Sequence, residues 1–297
     1  MKQLLVLVNA RAGPSLQDAG EAAADVLRTG ADVRVVEVGE PSELAGLLEL
    51  ESDRTPVIVG GDGSIHALVA ALRDLDRLGE RPHELGIVPA GTGNDLARTL
   101  ELPLDPVAAA EVILRGRERD LDIVVDDAGG VVVNALHLGV GAEAARRAAP
   151  LKPWLRRLAY PVGSLLAGTA ARGWRLRVVV DGDVVTDGRR RVLMVALGNG
   201  MTIGGGAPVA PAAAPDDGQV DVVVSFSTSW RARLGFVVTL ARGRHPRRPD
   251  VIVRRGHEVR VDGEPVPVNA DGEVSNLEAG RSWTVLRHAL RVPVPAP

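Results

Sequence analysis

The residues best suited to chemistry in this chain are glycines with a carboxylate among them. Gly60-Gly61-Asp62-Gly63-Ser64 separates an apolar run at residues 56–59 from a helical pattern in which Ile65, Leu68, Val69, Leu72 and Leu75 share one face. Glycines let backbone N–H groups approach an anion closely, and the start of a following helix adds unpaired donors and a positive dipole end. The loop therefore suits a phosphate, with Ser64 binding it or capping the helix. Asp62 would repel a polyphosphate unless Mg2+ or a substrate hydroxyl stood between them. The structural alternative is a tight strand-to-helix turn closed by an aspartate. A second loop, Pro89-Ala90-Gly91-Thr92-Gly93-Asn94-Asp95, also follows an apolar run and precedes a helix, and Asn9-Ala10-Arg11-Ala12-Gly13 ends a further run at residues 3–8.

The elements that must position these loops alternate. Strand-like runs at residues 3–8, 33–38, 56–59 and 85–88 are interleaved with helical patterns at 17–29, 42–50 and after 64. Such alternation predicts a parallel sheet covered by helices, with all three loops at the carboxyl edge where ligands of these sheets bind. Near residue 121 the pattern changes to strands, at 121–125, 131–136, 175–180, 191–197, 220–226, 251–253, 258–261 and 283–286. Asp-Gly turns at 181–182, 217–218 and 262–263 punctuate them, and one helical stretch, 151–171, interrupts. The expected fold class is α/β plus β: an N-terminal α/β parallel-sheet domain over residues 1–125 and a mostly antiparallel β-sandwich over 126–297.

Composition narrows the function. At 297 residues the chain is near the size where one core stops growing. With 2 Phe, 4 Trp and 1 Tyr the core must be aliphatic, and the stacking platforms of single-strand nucleic-acid binders are lacking. The absence of cysteine excludes disulfides, thiolate metal sites and a cysteine nucleophile. The 6 histidines are scattered, with no H-E-x-x-H, and there is no G-x-S-x-G elbow. A G-x-G-x-x-A string at residues 139–144 lacks the acid expected about 20 positions on in a dinucleotide site. No signal peptide and no run of about 18 apolar residues is present, so a cytoplasmic protein is expected.

The net charge of −3 hides a polarity: residues 1–125 carry 12 Lys and Arg against 22 Asp and Glu, and residues 126–297 carry 23 against 16. In the basic half, Arg146, Arg147, Lys152, Arg156 and Arg157 surround Trp154, and nine Arg against two acids fill residues 229–260 with Trp230 and Phe236. Cations beside apolar anchors suit peripheral attachment to an anionic membrane; a solvated face with core aromatics is the alternative.

Taken together, the motifs resemble the diacylglycerol kinase catalytic family, which includes bacterial lipid kinases and sphingosine and ceramide kinases. The resemblance rests on Asn9 to Gly13, Gly60 to Ser64, residues 86–98 (GIVPAGTGNDLAR), Gly198-Asn199-Gly200 with Gly204-Gly205-Gly206, residues 211–218, and Asp271-Gly272-Glu273, and it covers nearly the whole chain. Departures are Ala10 in place of a usual Pro, Ser64 for Thr, Ala67 for Glu, and Glu37 or Val38 for Thr.

The resemblance implies a kinase that transfers the γ-phosphate of ATP to a lipid hydroxyl, with diacylglycerol as the first candidate. Phosphatidylglycerol, sphingoid or ceramide acceptors, and a catalytically silent nucleotide- or lipid-binding protein, remain as alternatives. It further implies an ATP site at Asn9, Gly60, Gly61, Asp62, Gly63, Ser64, Ile65, His66, Gly91, Thr92, Asn94 and Asp95, with Asp62 beside the transferred phosphate and Mg2+. Glu273 or Asp271 would be the general base, and a structural Mg2+ would be held by Asp217 and the carbonyls of Ala214 and Gln219. Asp262-Gly263-Glu264 repeats the acidic triplet and is read as a hairpin turn. The lipid would be met at the membrane surface, and no nucleic-acid partner is expected.

Overall fold

Short aliphatic runs alternating with amphipathic helices fold into the parallel sheet expected of them. This computed structural model describes residues 1–10, 14–79, 81–143 and 172–296. The predicted helix at 151–171, the cationic cluster around Trp154 and Arg11 to Gly13 lie outside the described residues.

The first of two compact units comprises Met1–Ile123 and Leu286–Pro297. Its sheet has the order β2-β1-β3-β5, with β1 Lys2–Asn9, β2 Ala31–Val38, β3 Thr55–Gly60 and β5 Gly86–Pro89, all parallel. Leu4, Val6 and Val8 share a core with Leu16, Ala23 and Leu27 of α1 (Pro14–Leu27) and Ala109, Ala110 and Ile113 of α5 (Pro106–Arg115). Leu5 and Leu7, also fully buried, face the opposite side, which is why β1 reads as a continuous apolar run. Helices α2 (Glu43–Leu50) and α3 (Asp62–Asp74) pack against each other, and α3 packs on β3. Helix α5 was not expected, although Asp105 caps it by accepting the Ala108 N–H at 2.9 Å and Pro106 stands in its first turn.

The sequence places residues 126–297 in one domain, yet the end of the chain joins the first unit. Strand β17 (Arg281–Val294) pairs in parallel with β4 (His83–Glu84) through Leu290 and His83, and Arg291 grips Asp120 at 2.6 Å. Strands β6 (Arg117–Asp126) and β17 thus both run through the unit boundary.

The second unit, Val124–Val285, is a β-sandwich. One sheet carries β10 (Asp183–Asp187), β9 (Leu176–Val180) and β14 (Glu258–Gly263). The other has the order β13-β12-β11-β8-β15-β16, from Val251–Gly256, Val220–Ser225, Met194–Gly198, Ala135–Gly139, Val266–Ala270 and Glu273–Leu277. Val178, Val180, Val259 and Val261 of the first meet Leu136, Leu138, Val195, Leu197, Val222 and Val224 of the second in one core. β9 and β14 alternate buried and exposed residues, whereas β8, β11 and β12 are buried on both faces. A second cluster explains that: Ala135, Met194, Ala196 and Val223 pack with Val209, Ala210 and Phe236 on the outer face. Phe236 belongs to a helix the sequence did not reveal, α6 (Trp230–Leu240).

His137 of β8 lies wholly inside this unit, and burial holds its imidazole down at about 4, only partly offset by the Gly141 backbone. The folded state therefore binds fewer protons than the unfolded chain between about pH 6.5 and 4, so this histidine's contribution is intact above 6.5 and lost as pH falls. Urea unfolding from pH 7 to 4 should cost the native chain about 3 kcal/mol more than a His137→Leu chain; parallel curves would refute it.

Candidate active site

In the sheet order β2-β1-β3-β5 the chain leaves β1 toward β2 on one side and β3 toward β5 on the other, so the topological switch point lies between β1 and β3. Asn9 ends β1 there and Gly60 ends β3, with Val8 paired to Val59 one step before. The loop after β5 lies alongside: Gly60 pairs with Pro89, and the Ala90 N–H donates to the Gly60 carbonyl at 2.9 Å. All the described glycine loops therefore share one edge.

Asp62 fastens them together. Its Oδ2 accepts the Asp95 N–H and its Oδ1 the Leu96 N–H, each at 3.0 Å. These amides open α4 (Asp95–Thr99), so a carboxylate from one loop caps the helix that follows the other. Asn94 completes the lock. Held at φ 52°, it accepts the Gly91 N–H and donates to the Gly91 carbonyl, both at 2.9 Å. Asn is among the few side chains that tolerate that backbone region.

The glycines have different duties. A Cβ on Gly61 would stand 2.9 Å from the Gly91 Cα, and one on Gly91 closer still, so both are glycine because the two backbones touch. A Cβ on Gly60 would meet the Ser64 hydroxyl at 2.5 Å. Gly63, by contrast with Gly60, Gly61 and Gly91, is exposed with open space above it, which is the property an approaching phosphate needs. If a phosphate approaches there, Gly63→Ala should keep the melting temperature while weakening the binding of a phosphate-bearing nucleotide about tenfold or more, whereas Gly91→Ala should lower the melting temperature through backbone overpacking costing about 1–3 kcal/mol. Equal thermal losses in both would refute the distinction.

One sequence expectation changes here. Ser64 is not the cap: α3 begins at Asp62 with Gly61 before it, and Ser64 sits in the first turn. The Ser64 and Ile65 N–H groups both donate to the Gly61 carbonyl, at 3.0 and 3.2 Å, and the Ile65 side chain is buried in the core. The Ile65 side chain thus packs in the core. Thr92 is exposed, His66 half-buried and Asp95 buried.

In the second unit Asp271 and Gly272, at φ 49° and 103°, form the two-residue hairpin turn between β15 and β16, closed by the Ala270 and Glu273 pair. The Asp271 carboxylate accepts three backbone N–H groups: Val133 at 2.7 Å, Asn134 at 3.0 Å and Ala135 at 2.9 Å. Asn199 binds the same segment, its side chain donating to the Val133 carbonyl at 2.7 Å and its N–H to the Asn134 carbonyl at 2.9 Å. The Gly198-Asn199-Gly200 and Asp271-Gly272-Glu273 motifs therefore converge on residues 133–135. Sequence reasoning passed over Asn134, although an amide interrupting the run VVVNALHL was a signal. Glu273 is exposed at the start of β16. In the other triplet, Asp262 is held by Arg260 at 2.9 Å and Glu264 by Arg191 at 3.0 Å.

Asp217 accepts the Gln219 N–H at 3.0 Å through Oδ1, and its Oδ2 pairs with Arg255, whose Nε lies 3.3 Å from Asp221. Burial pushes the Asp221 carboxyl up, Arg255 opposes this and Asp217 adds to it. The structural Mg2+ expected at Asp217, Ala214 and Gln219 does not fit this arrangement, because a guanidinium from the chain already supplies the cation. Among the described residues no three metal-ligating side chains converge. Nucleotide-free chain should accordingly show no thermal shift with Mg2+, while Arg255→Met should melt lower and recover with Mg2+. Stabilisation of the native chain by Mg2+, abolished by Asp217→Asn, would refute this.

The comparisons with known proteins agree with this layout. Residues 3–125 match the diacylglycerol kinase catalytic domain, and residues 134–294 match the YegS C-terminal NAD kinase beta sandwich-like domain. The chain belongs to the diacylglycerol kinase catalytic family. Within it, the chain is 28% identical to a diacylglycerol kinase of Mycobacterium tuberculosis over 274 residues, covering 88% of this chain and 84% of that one. It is 28% identical to a diacylglycerol kinase of Bacillus subtilis over 241 residues, covering 78% and 75%. A crystal structure of a diacylglycerol kinase from Bacillus anthracis superimposes with a TM-score of 0.74 at 19% identity, covering 99% and 97%, which establishes the shared fold. As a lipid-kinase family member, the chain has no helix among its described residues that is long and apolar enough to cross a membrane.

Proposed function

We propose that this chain is an ATP-dependent lipid kinase that transfers the γ-phosphate of ATP to the hydroxyl of diacylglycerol, giving phosphatidic acid. The observation that carries this reading is the Asp62 clasp, which joins two glycine loops into one rigid rim at the switch point of a parallel sheet. Gly60 to Ser64, with His66, Gly91, Thr92, Asn94, Asp95 and Asn9, are the proposed nucleotide contacts. Mg2+ arriving with the nucleotide supplies charge neutralisation for the transfer.

The chain's own contribution is alignment and a base. The lipid hydroxyl oxygen attacks the γ-phosphorus, its proton passes to Glu273, and ADP leaves with the bridging oxygen. Asp271, with three N–H groups already on its oxygens, is a positioning residue that fixes the turn carrying Glu273.

A panel of diacylglycerol, phosphatidylglycerol, ceramide and sphingoid base in mixed micelles with radiolabelled ATP tests the reading. Fastest labelling of diacylglycerol is expected. Faster labelling of another lipid overturns the acceptor, and nucleotide binding without any labelled lipid overturns the kinase in favour of a silent binding protein.

A further inference from the structure

Helix α6 presents two faces of opposite character. Phe236, 2% exposed, points inward and meets the His245 ring edge-on at 5.7 Å. On the other side Trp230 is 71% exposed, Leu234 55%, Val237 43% and Val238 44%. Their spacing of i, i+4, i+7 and i+8 places them on a single stripe of an α-helix. Isolated exposed apolar residues are ordinary, but a continuous stripe ending in a tryptophan is not, because each of its members gains by leaving water.

The surroundings of the stripe are positive. No Asp or Glu occurs from Phe226 to Pro249, while Arg231, Arg242, Arg244 and Arg247 are all exposed. Arg231 lies over the Trp230 ring, 5.1 Å from its centroid, so the cation and the aromatic edge leave the helix together. The α6 N-terminus itself is secured by Ser229, whose hydroxyl accepts the Ala232 N–H at 3.4 Å. The nearest acid, Asp250, is held by Arg248, which also donates to the Ala232 carbonyl of α6. Tryptophan with aliphatic neighbours and flanked by arginines has the chemistry of the interfacial zone of a bilayer: the apolar stripe enters the acyl boundary and the guanidinium groups meet anionic headgroups. A protein partner would need acidic groups around an apolar groove; a second copy would bring arginines against arginines.

We propose that the exposed face of α6, from Trp230 through Val238 with Arg231, Arg242 and Arg244, is the surface by which this protein docks on anionic lipid bilayers. The proposal rests on the lipid-kinase reading for the presence of a bilayer near the substrate. It replaces Phe236 as a membrane anchor with Leu234 and Val237, because Phe236 is a core residue.

Sedimentation with vesicles of phosphatidylcholine alone or mixed with phosphatidylglycerol, without ATP, tests the docking separately from catalysis. The full chain should partition onto the anionic vesicles, less so as salt is raised, and remain largely in the supernatant with neutral ones. Trp230→Ala with Leu234→Ser should weaken partition by about tenfold or more, the factor expected for removing two large side chains from the interface. Its melting temperature and its transfer to a short-chain lipid in micelles should stay unchanged, since both side chains lie outside the core. Brominated acyl chains should quench part of the tryptophan emission, and that part should vanish in Trp230→Phe. Equal partition of native and doubly substituted chains would overturn the assignment, as would equal partition onto neutral and anionic vesicles. A concentration-dependent dimer abolished by the same substitutions would overturn it in favour of a second copy. Loss of kinase activity on every lipid with anionic binding intact would instead remove the reading it rests on.

Discussion

Asp62→Asn should lower kcat/KM for phosphoryl transfer by about a thousandfold or more, the scale set by losing both electrostatic preorganisation and alignment. Both Asp62 oxygens accept backbone N–H groups, from Asp95 and Leu96. An amide can offer only one acceptor, so its NH2 must face one of those N–H groups. The cost is about 2–4 kcal/mol, combining a lost charge-assisted bond with an unsatisfied amide. The helix start that follows the second glycine loop is then untethered from the first. Hydrogen exchange separates this positioning role from direct contact with phosphate: the Asp95 and Leu96 amides should exchange much faster in the variant. Near-normal turnover would refute the site, and unchanged protection with lost activity would refute the clasp.

The acidic turn in the second unit gives the other large expected effect. Glu273→Gln should reduce kcat by about a hundredfold to ten-thousandfold, the range for removing a general base, with the melting temperature unchanged because Glu273 is exposed. Asp271→Asn should behave differently. Asn accepts the positive φ of this turn, so the backbone is not the difficulty. Instead, one of the N–H groups of residues 133–135 loses its acceptor, and the melting temperature should fall by several degrees, about what 1–3 kcal/mol costs a domain of this size. Activity losses would then track unfolding in Asp271→Asn and not in Glu273→Gln. The reverse pattern would make Asp271 the base.

The candidate site residues were legible because their types are demanding. A glycine between a strand and a helix, an aspartate beside it and a second loop of the same kind leave few other uses. Whether each glycine serves packing or ligand approach was not legible, because it depends on which backbone lies opposite. Gly61 and Gly91 touch each other across thirty positions of sequence, while Gly63 faces open space. The helix α6 was missed for a related reason: its apolar residues occupy both faces, one for the core and one exposed, so no clean period stands out.

By itself the sequence determined the alternating parallel sheet, the change to a β-sandwich near residue 121 and the loops at the sheet's carboxyl edge. Periodicity and turn residues are local properties, and the chain states them in order. Only the tertiary structure decided that Asp62 caps a helix thirty-three residues away, that Asp271 is bound by residues 133–135, and that Arg255 stands where a metal ion was expected. It also decided that Leu286–Pro297 returns to the first unit. Each of these is a pairing between distant donors and acceptors or strands, and such pairings are fixed by which surfaces folding brings together.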